Sequence, residues 1–295
     1  MLNIKYIRPK SLKNALANLQ ETEFDNVLLA GGTDLLIGLR NSDQPLKRMV
    51  DISRLEELKI IKCEGSRITI GSGVTFSEIL NNEILQKNTP LLVEACSRIG
   101  GPQVRNRGTI GGNIVNAAVC ADSLPALVCL ETEAHFKANG SNRHMKVADF
   151  ISGKNQTQIK NGEILTHFIC EAQKIGVRSC FIKLGRRNAM AIARISVAVM
   201  GRLNLKGQVD LIRIAIGAAT TRIERWSKAE DCLLGKIPDP EIIKDCGRMI
   251  SEQMIEKQGR RWSTEYKEQA IAKLIERALG RIFLQVPEED GGNLA

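Results

Sequence analysis

The stretch GTIGGNIVNAAVCAD, residues 108–122, carries the most information about the fold. It combines three glycines with a threonine, two asparagines and a single carboxylate, Asp122, and has no other charge. The side chains of Asn113 and Asn116 can both donate and accept hydrogen bonds. The stretch is therefore typical of a polar glycine loop that meets a ligand rich in hydroxyl groups.

A second glycine stretch, AGGTDLLIG (residues 30–38), lies further towards the N-terminus and directly follows a hydrophobic run. Paired glycines let the backbone turn sharply and expose its N–H groups. Successive exposed N–H groups form a nest that binds phosphate oxygens. Taken alone, this stretch is equally compatible with a tight turn between a strand and a helix.

The two stretches fit neither GxGxxG nor GxxxxGK[ST], which disfavours a Rossmann or P-loop site. Together they indicate a large diphosphate ligand held from two sides.

Around these loops the chain alternates short strand-like runs with helical ones, as expected of an α+β fold. A hairpin is predicted at HFKA and RHMKV, and three strand-like runs follow between residues 180 and 219. The remaining C-terminal part is mainly helical. Helix caps are predicted at Ser11, Ser227 and Asp239, and a domain boundary near residue 175.

Composition excludes several classes of protein. The net charge is +9, but aromatic residues make up only 4% and no run of five basic residues occurs, which disfavours nucleic-acid binding. No segment approaches the roughly 18 apolar residues of a membrane span. The eight cysteines form no CxxC and have no histidine at metal-ligand spacing, so neither a metal site nor an iron–sulfur cluster is expected. The N-terminus lacks an apolar leader, and reduced thiols in a cytoplasmic protein are expected.

Several other side chains have both a structural and a functional interpretation. We interpret the three histidines, His135, His144 and His167, as isolated and not catalytic. Trp226 and Trp262 are typical of core or interface anchors. Cys120 is either a reactive thiol or an inert buried one, and the second is favoured.

Several motifs, in order and over nearly the whole chain, carry a resemblance to a known family. These are LLAGGTDLLIGLR, IGSGVTFSEI, GPQVRNRGTIGGNIVNAAVCADSLPAL, GEILTHF, FIKLGRRNAMAIARISVAV, RIAIGAATTRIERWSKAE and STEYKEQAIAKLIERAL. The chain closely resembles the FAD-binding middle subunit of the molybdenum hydroxylases, which include bacterial xanthine, carbon monoxide and nicotinate dehydrogenases.

The resemblance implies an α+β fold with a two-lobed, PCMH-type FAD-binding domain at residues 1–175. A C-terminal flavoprotein domain of antiparallel sheet plus helices would follow at residues 176–286, and a frayed tail at residues 287–295. FAD would lie between the lobes.

The resemblance also implies the cofactor-binding residues, position by position. Residues 27–35 would wrap the diphosphate, and Asp122 would bind ribityl or ribose hydroxyls. Ile99 stands where many relatives place an aromatic residue. The full implied set is Val27, Leu28, Leu29, Ala30, Gly31, Gly32, Thr33, Asp34, Leu35, Ile99, Gly100, Thr109, Gly112, Asn113, Asn116, Asp122, Leu165 and Lys183. No residue is expected to act as an acid, base or nucleophile.

By the same resemblance, the chain is an oxidoreductase subunit that is not self-sufficient. Electrons would reach its FAD from the [2Fe–2S] clusters of one partner subunit and leave to NAD⁺ or another acceptor. The substrate, a purine such as xanthine, would react on a molybdopterin-containing large subunit, in a dimer of heterotrimers. The alternatives are a free-standing FAD-dependent oxidoreductase with its own substrate pocket, and a scaffold or nucleic-acid-binding protein.

Overall fold

The protein is seen in a computed structural model, which describes residues 5–21, 25–40, 48–187, 189–260 and 264–284. The predicted tail at residues 287–295 and Trp262 lie outside the described residues. Among the helices of these ranges, each is too short or too polar to span a bilayer.

The first lobe is a small parallel sheet with two helices. Its strands have the spatial order β1-β3-β2, and all pairings are parallel. The Ser11 hydroxyl accepts a hydrogen bond from the N–H of Asn14, which confirms the predicted cap of the first helix. The elements are β1 (Lys5–Ile7), α1 (Leu12–Leu19), β2 (Asn26–Leu29), α2 (Leu35–Arg40) and β3 (Arg48–Asp51).

The second lobe is a five-stranded antiparallel sheet covered on one face by helices. The strand order is β4-β5-β10-β6-β7, and β6 and β7 form the predicted hairpin. The strands are β4 (Ile61–Glu64), β5 (Arg67–Gly71), β6 (Glu133–Ala138), β7 (Ser141–Lys146) and β10 (Ile164–Glu171), with a small side ribbon of β8 (Ile151–Gly153) and β9 (Gln156–Thr157). The helices are α3 (Phe76–Asn81), α4 (Glu83–Asn88), α5 (Pro90–Ser97), α6 (Pro102–Arg105), α7 (Ile110–Asn116), α8 (Ser123–Cys129) and α9 (Val147–Phe150).

The C-terminal part is a three-stranded antiparallel meander backed by helices, as expected. Its elements are β11 (Arg178–Gly185), β12 (Ala193–Leu203), β13 (Val209–Gly217), α10 (Ser227–Leu233), α11 (Pro240–Gln258) and α12 (Thr264–Leu279), with a π-helical turn at Gly280–Leu284. Asp239 caps α11 as predicted. The predicted Ser227 cap is wrong, because Ser227 is already the first helical residue and Trp226 precedes it without a side-chain cap. The boundary near residue 175 stays a prediction.

One hydrophobic core joins the second lobe to the C-terminal sheet. Residues of α5 and α8 pack with Phe181, Ala198 and Ala215 of the C-terminal strands. Polar contacts reinforce the junction: Glu131, in a left-handed conformation, receives bonds of 2.6 Å from Arg213 and 2.7 Å from Arg225. Because the two parts share a core, residues of β11 are held against the second lobe.

The three histidines lie in one row across the outer face of the five-stranded sheet. His144, His135 and His167 stand opposite one another on β7, β6 and β10. Their rings stack, with centroid separations of 5.1 Å and 4.5 Å. The interpretation of these histidines as isolated is therefore wrong, because residues far apart in sequence become neighbours through strand register.

This row predicts acid sensitivity. Burial, followed by the neighbouring His167 and His144, lowers the pKa of His135 to about 4, with Glu133 acting in the opposite direction and Arg67 in the same one. An unfolded histidine titrates near 6.5, so between pH 6.5 and 4 the unfolded chain binds a proton that the folded chain does not. We expect this group to remove about 1–2 kcal/mol of stability over that interval, after allowance for solvent screening.

Urea unfolding of the protein and of His135→Gln at several pH values checks this expectation. The difference in unfolding free energy between the two proteins isolates His135 from other groups that titrate in the same interval. An equal loss of stability on acidification in both proteins would contradict the role of His135.

Candidate functional site

A cavity of about 1070 Å³ opens where the two lobes and the C-terminal part meet. This volume lies at the upper end of small-molecule and cofactor sites. Its lining includes both glycine loops, the turn after β9, and Lys183 with residues 190–192 from the C-terminal part. The sequence-predicted residues that line it are Val27, Leu28, Ala30, Gly31, Gly32, Thr33, Asp34, Leu35, Ile99, Gly100, Thr109, Gly112, Asn113, Asn116, Asp122, Leu165 and Lys183.

Leu29 is the exception among the predicted residues. It is the last residue of β2 and does not line the cavity, although its neighbours Leu28 and Ala30 do. Its carbonyl oxygen accepts a bond from the N–H of Ile52.

The first glycine loop connects β2 to α2 and presents unused backbone donors. Within the described chain, the N–H groups of Gly31, Gly32, Thr33 and Asp34 donate to no backbone acceptor. Gly32 has φ +76°, a left-handed conformation that glycine adopts without strain. Gly31 packs so closely on the second loop that an added Cβ would lie 2.0 Å from the carbonyl oxygen of Arg107. The loop is therefore a ready nest for an anion, pressed directly against its counterpart.

The second glycine loop is organised differently. The N–H of Gly111 donates to Ser72 and that of Ile110 to Val74, while the Thr109 hydroxyl caps α7 by accepting from the N–H of Gly112. These donors are already engaged, so this loop offers side chains and open space rather than N–H groups. Space is provided by Gly112, where an added Cβ would meet only Thr109 Oγ1 within 4 Å.

Asp122 and Lys183 join the second lobe to the C-terminal part at the cavity wall. Lys183 Nζ lies 2.5 Å from Asp122 Oδ2 and also donates to the carbonyl oxygen of Arg98 at 2.9 Å. The other carboxylate oxygen, Oδ1, is buried and has no hydrogen-bond partner among the described residues. Burial raises the pKa of Asp122 to about 6, against the opposing effect of Lys183.

A buried acceptor without a donor is costly unless a ligand supplies one. The unpaired Oδ1 fits a ligand hydroxyl, and the nest of the first loop fits phosphate oxygens. The residues present therefore fit a dinucleotide such as FAD, with anion recognition on one loop and hydroxyl recognition at Asp122.

Cys120 also lines the cavity, half-buried, and burial raises the pKa of its thiol, which favours the neutral form. All eight cysteines lie in the described residues, and none of them forms a disulfide there. The raised pKa favours the inert interpretation of Cys120 over the reactive one.

Sequence reasoning missed several parts of the lining, including Ile52, Ser53 and Leu58 after β3 and two segments further along the chain. Residues 159–163 form the turn before β10, and residues 190–192 follow β11. The GEIL motif was a signal for the first of these, since it was one of the resembling segments. Met190, which has φ +50° and brings its sulfur near Gly101, lies within the resembling segment FIKLGRRNAMAIARISVAV, but it was not named as a site residue.

Comparison with known proteins identifies the family and the fold of the chain. A family model described as the FAD binding domain in molybdopterin dehydrogenase matches residues 2–170. The chain belongs to this family. A second model, described as the CO dehydrogenase flavoprotein C-terminal domain, matches residues 180–282. The chain is thus an FAD-binding medium subunit of the molybdenum hydroxylase type, an oxidoreductase subunit.

Individual relatives are similar to this FAD-binding subunit over nearly its whole length. The carbon monoxide dehydrogenase medium chain of Hydrogenophaga pseudoflava is 32% identical, over 93% of this chain and 95% of the relative. The xanthine dehydrogenase FAD-binding subunit of Escherichia coli O157:H7 is 30% identical, over 98% of both chains. A solved structure of carbon monoxide dehydrogenase from Hydrogenophaga pseudoflava superposes with a TM-score of 0.86 at 29% identity, covering 96% of this chain and 98% of that one.

Proposed function

We propose that the chain passes electrons from the [2Fe–2S] clusters of a partner subunit, through its FAD, to NAD⁺ or another acceptor. The proposal rests on one cavity that is lined both by the first glycine loop and by Asp122. Among the described residues, the N–H groups of that loop donate to no backbone acceptor and Asp122 Oδ1 has no hydrogen-bond partner. When bound, FAD supplies the redox chemistry, and the protein contributes binding, position and electrostatics. The residues implied by the resemblance, other than Leu29, are proposed to contact it.

The proposed assembly contains an iron–sulfur subunit and a molybdenum-binding large subunit, arranged as a dimer of heterotrimers. The proposed compartment is the cytoplasm, which agrees with eight cysteines that form no disulfide within the described residues. For the substrate we propose a purine such as xanthine, supported by the 30% identity to a xanthine dehydrogenase subunit. Carbon monoxide, nicotinate and glyceraldehyde are the competing substrates, since similar relatives bear those names.

The first test concerns the cofactor of the purified chain. It is expected to be yellow and to carry close to one FAD, released by acid because no covalent attachment is expected. Absorbance spectra before and after acid precipitation measure both quantities. A colourless protein that takes up no added FAD would defeat the proposed function.

The second test separates an electron-transfer subunit from a free-standing oxidoreductase. The isolated chain should at most pass electrons from NADH to an artificial acceptor, and should oxidise none of the four candidate substrates. Co-expressed with its two partners, it should co-purify with them and show flavin bleaching by one substrate of the panel. Substrate turnover by the isolated chain would instead support the free-standing enzyme, and bleaching by carbon monoxide but not xanthine would overturn the purine assignment.

A further inference from the structure

The turn at residues 159–163 forms one wall of the cavity, and the side chain that holds it in place lies outside the cavity lining. It connects β9 to β10 and closes through a 3.1 Å bond from the N–H of Glu163 to the carbonyl oxygen of Lys160, with Gly162 at φ +78°. A surface turn with so few backbone bonds does not by itself have a single conformation. Its position depends on what anchors it.

The turn is anchored by Arg143, which lies on β7 of the same sheet as β10. Its Nε and Nη2 donate to the two carboxylate oxygens of Glu163 at 2.6 Å and 2.7 Å, and Nη2 also donates to the carbonyl oxygen of Gln158 at 2.6 Å. One guanidinium therefore ties together both ends of the turn. Glu163 Oε2 additionally accepts from the N–H of Lys160 at 2.8 Å.

The guanidinium is itself fixed in orientation. Its carbon lies 4.5 Å from the ring centroid of Phe136, which stands directly opposite Arg143 in the sheet. Phe136 in turn stands opposite Leu165, which lines the cavity. Arg143 does not line the cavity, so its side chain acts at a distance from any ligand.

Glu163 is 8% exposed and Arg143 25%. A bidentate arginine–carboxylate pair fixes the relative orientation of its two side chains and forms strong hydrogen bonds. Removal of one partner leaves the charge of the other poorly compensated. Both carboxylate oxygens of Glu163 are engaged within the protein, which argues that Glu163 shapes the wall rather than accepting bonds from the ligand.

We propose that Arg143 is a positioning residue for FAD binding, acting through Glu163 to fix the cavity wall at residues 159–163. The proposal rests on the proposed function, since the ligand is FAD. Lysine cannot replace this arginine fully, because an ammonium group lacks the planar fork that reaches two carboxylate oxygens and a carbonyl oxygen at once.

The test is the FAD dissociation constant of the apoprotein, measured by titration, with melting temperature measured in parallel. We expect Arg143→Gln to bind FAD about tenfold more weakly while remaining folded, and Arg143→Lys to lie between it and the wild type. Glu163→Gln should weaken binding similarly. The double variant should be no weaker than either single one, since both changes release the same turn. Amide hydrogen exchange at residues 159–163 should be faster in Arg143→Gln without FAD.

Arg202→Gln is the matched control. Arg202 also forms a cross-strand pair with a carboxylate, at 3.0 Å from Asp210, but on the β12–β13 hairpin away from the cavity. It should change the melting temperature at most, and leave the dissociation constant unchanged. Wild-type affinity in Arg143→Gln, or multiplicative losses in the double variant, would overturn the positioning role. Failure of the wild-type chain to bind FAD would instead reject the proposed function. If Arg143→Gln does not fold, Arg143→Lys and Glu163→Gln decide the question.

Discussion

Gly32→Val is expected to lower the affinity for FAD at least tenfold, or about 1.4 kcal/mol. Gly32 has φ +76°, which a β-branched residue adopts only with strain. Its added Cβ would also lie 3.1 Å from the side-chain ends of Leu29 and Leu36, which must give way slightly, and relief of the strained φ would shift the loop backbone. Any shift disturbs the row of N–H groups proposed to bind the diphosphate. The affinity is measured by titration of the apoprotein.

Gly207→Val provides the matched control, because Gly207 has the same φ of +76° but open space around its Cβ position, in a turn away from the cavity. It should show the backbone strain as a lower melting temperature and bind FAD normally. Equal FAD affinity in the two folded variants would show that the first glycine loop is only a turn. Gly31 is less suitable, since a side chain there collides with the backbone of Arg107 and would force the two loops apart.

Asp122→Ala is expected to have a comparable or larger effect. It removes the unpaired Oδ1 and leaves Lys183, whose side chain is 10% exposed, without its carboxylate. A hydrogen bond to a charged group contributes about 1.5–3 kcal/mol, so FAD affinity should fall by roughly 10- to 150-fold. In the assembled complex, the rate of acceptor reduction should fall together with FAD affinity, while substrate should still reduce the molybdenum and iron–sulfur centres.

Two comparisons make this result specific. Asp210→Ala removes the carboxylate of an ion pair outside the cavity and should leave FAD binding unchanged.

A ligand hydroxyl that donates to Oδ1 favours the ionised carboxylate, so wild-type affinity should weaken as pH falls through about 6, the pKa of Asp122 without ligand. Asp122→Asn should lose that pH dependence. Loss of assembly in Asp122→Ala, rather than loss of flavin alone, would indicate a folding defect instead.

Much of the fold could be predicted from local sequence patterns. Hydrophobic runs located β11 to β13, and the glycine pairs located both loops, because strand periodicity and glycine turns are properties of a few neighbouring residues. The caps at Ser11 and Asp239 followed from the same kind of signal, and Ser227 failed because a serine before a helical run can equally be its first residue.

The sequence by itself therefore determined the α+β class and the family, and all but Leu29 of the 18 site residues named from the sequence line the cavity. Only the tertiary structure decided which hydrogen-bonding groups of those residues are already paired and which residues lie side by side. Among the described residues, it gave the N–H groups of the first loop no backbone acceptor but paired those of Gly111 and Ile110 in the second loop with Ser72 and Val74. It also placed Lys183 against Asp122 and brought the three histidines into one row. These arrangements depend on strand register and on which buried groups find partners, and both are set by contacts between residues far apart in the chain.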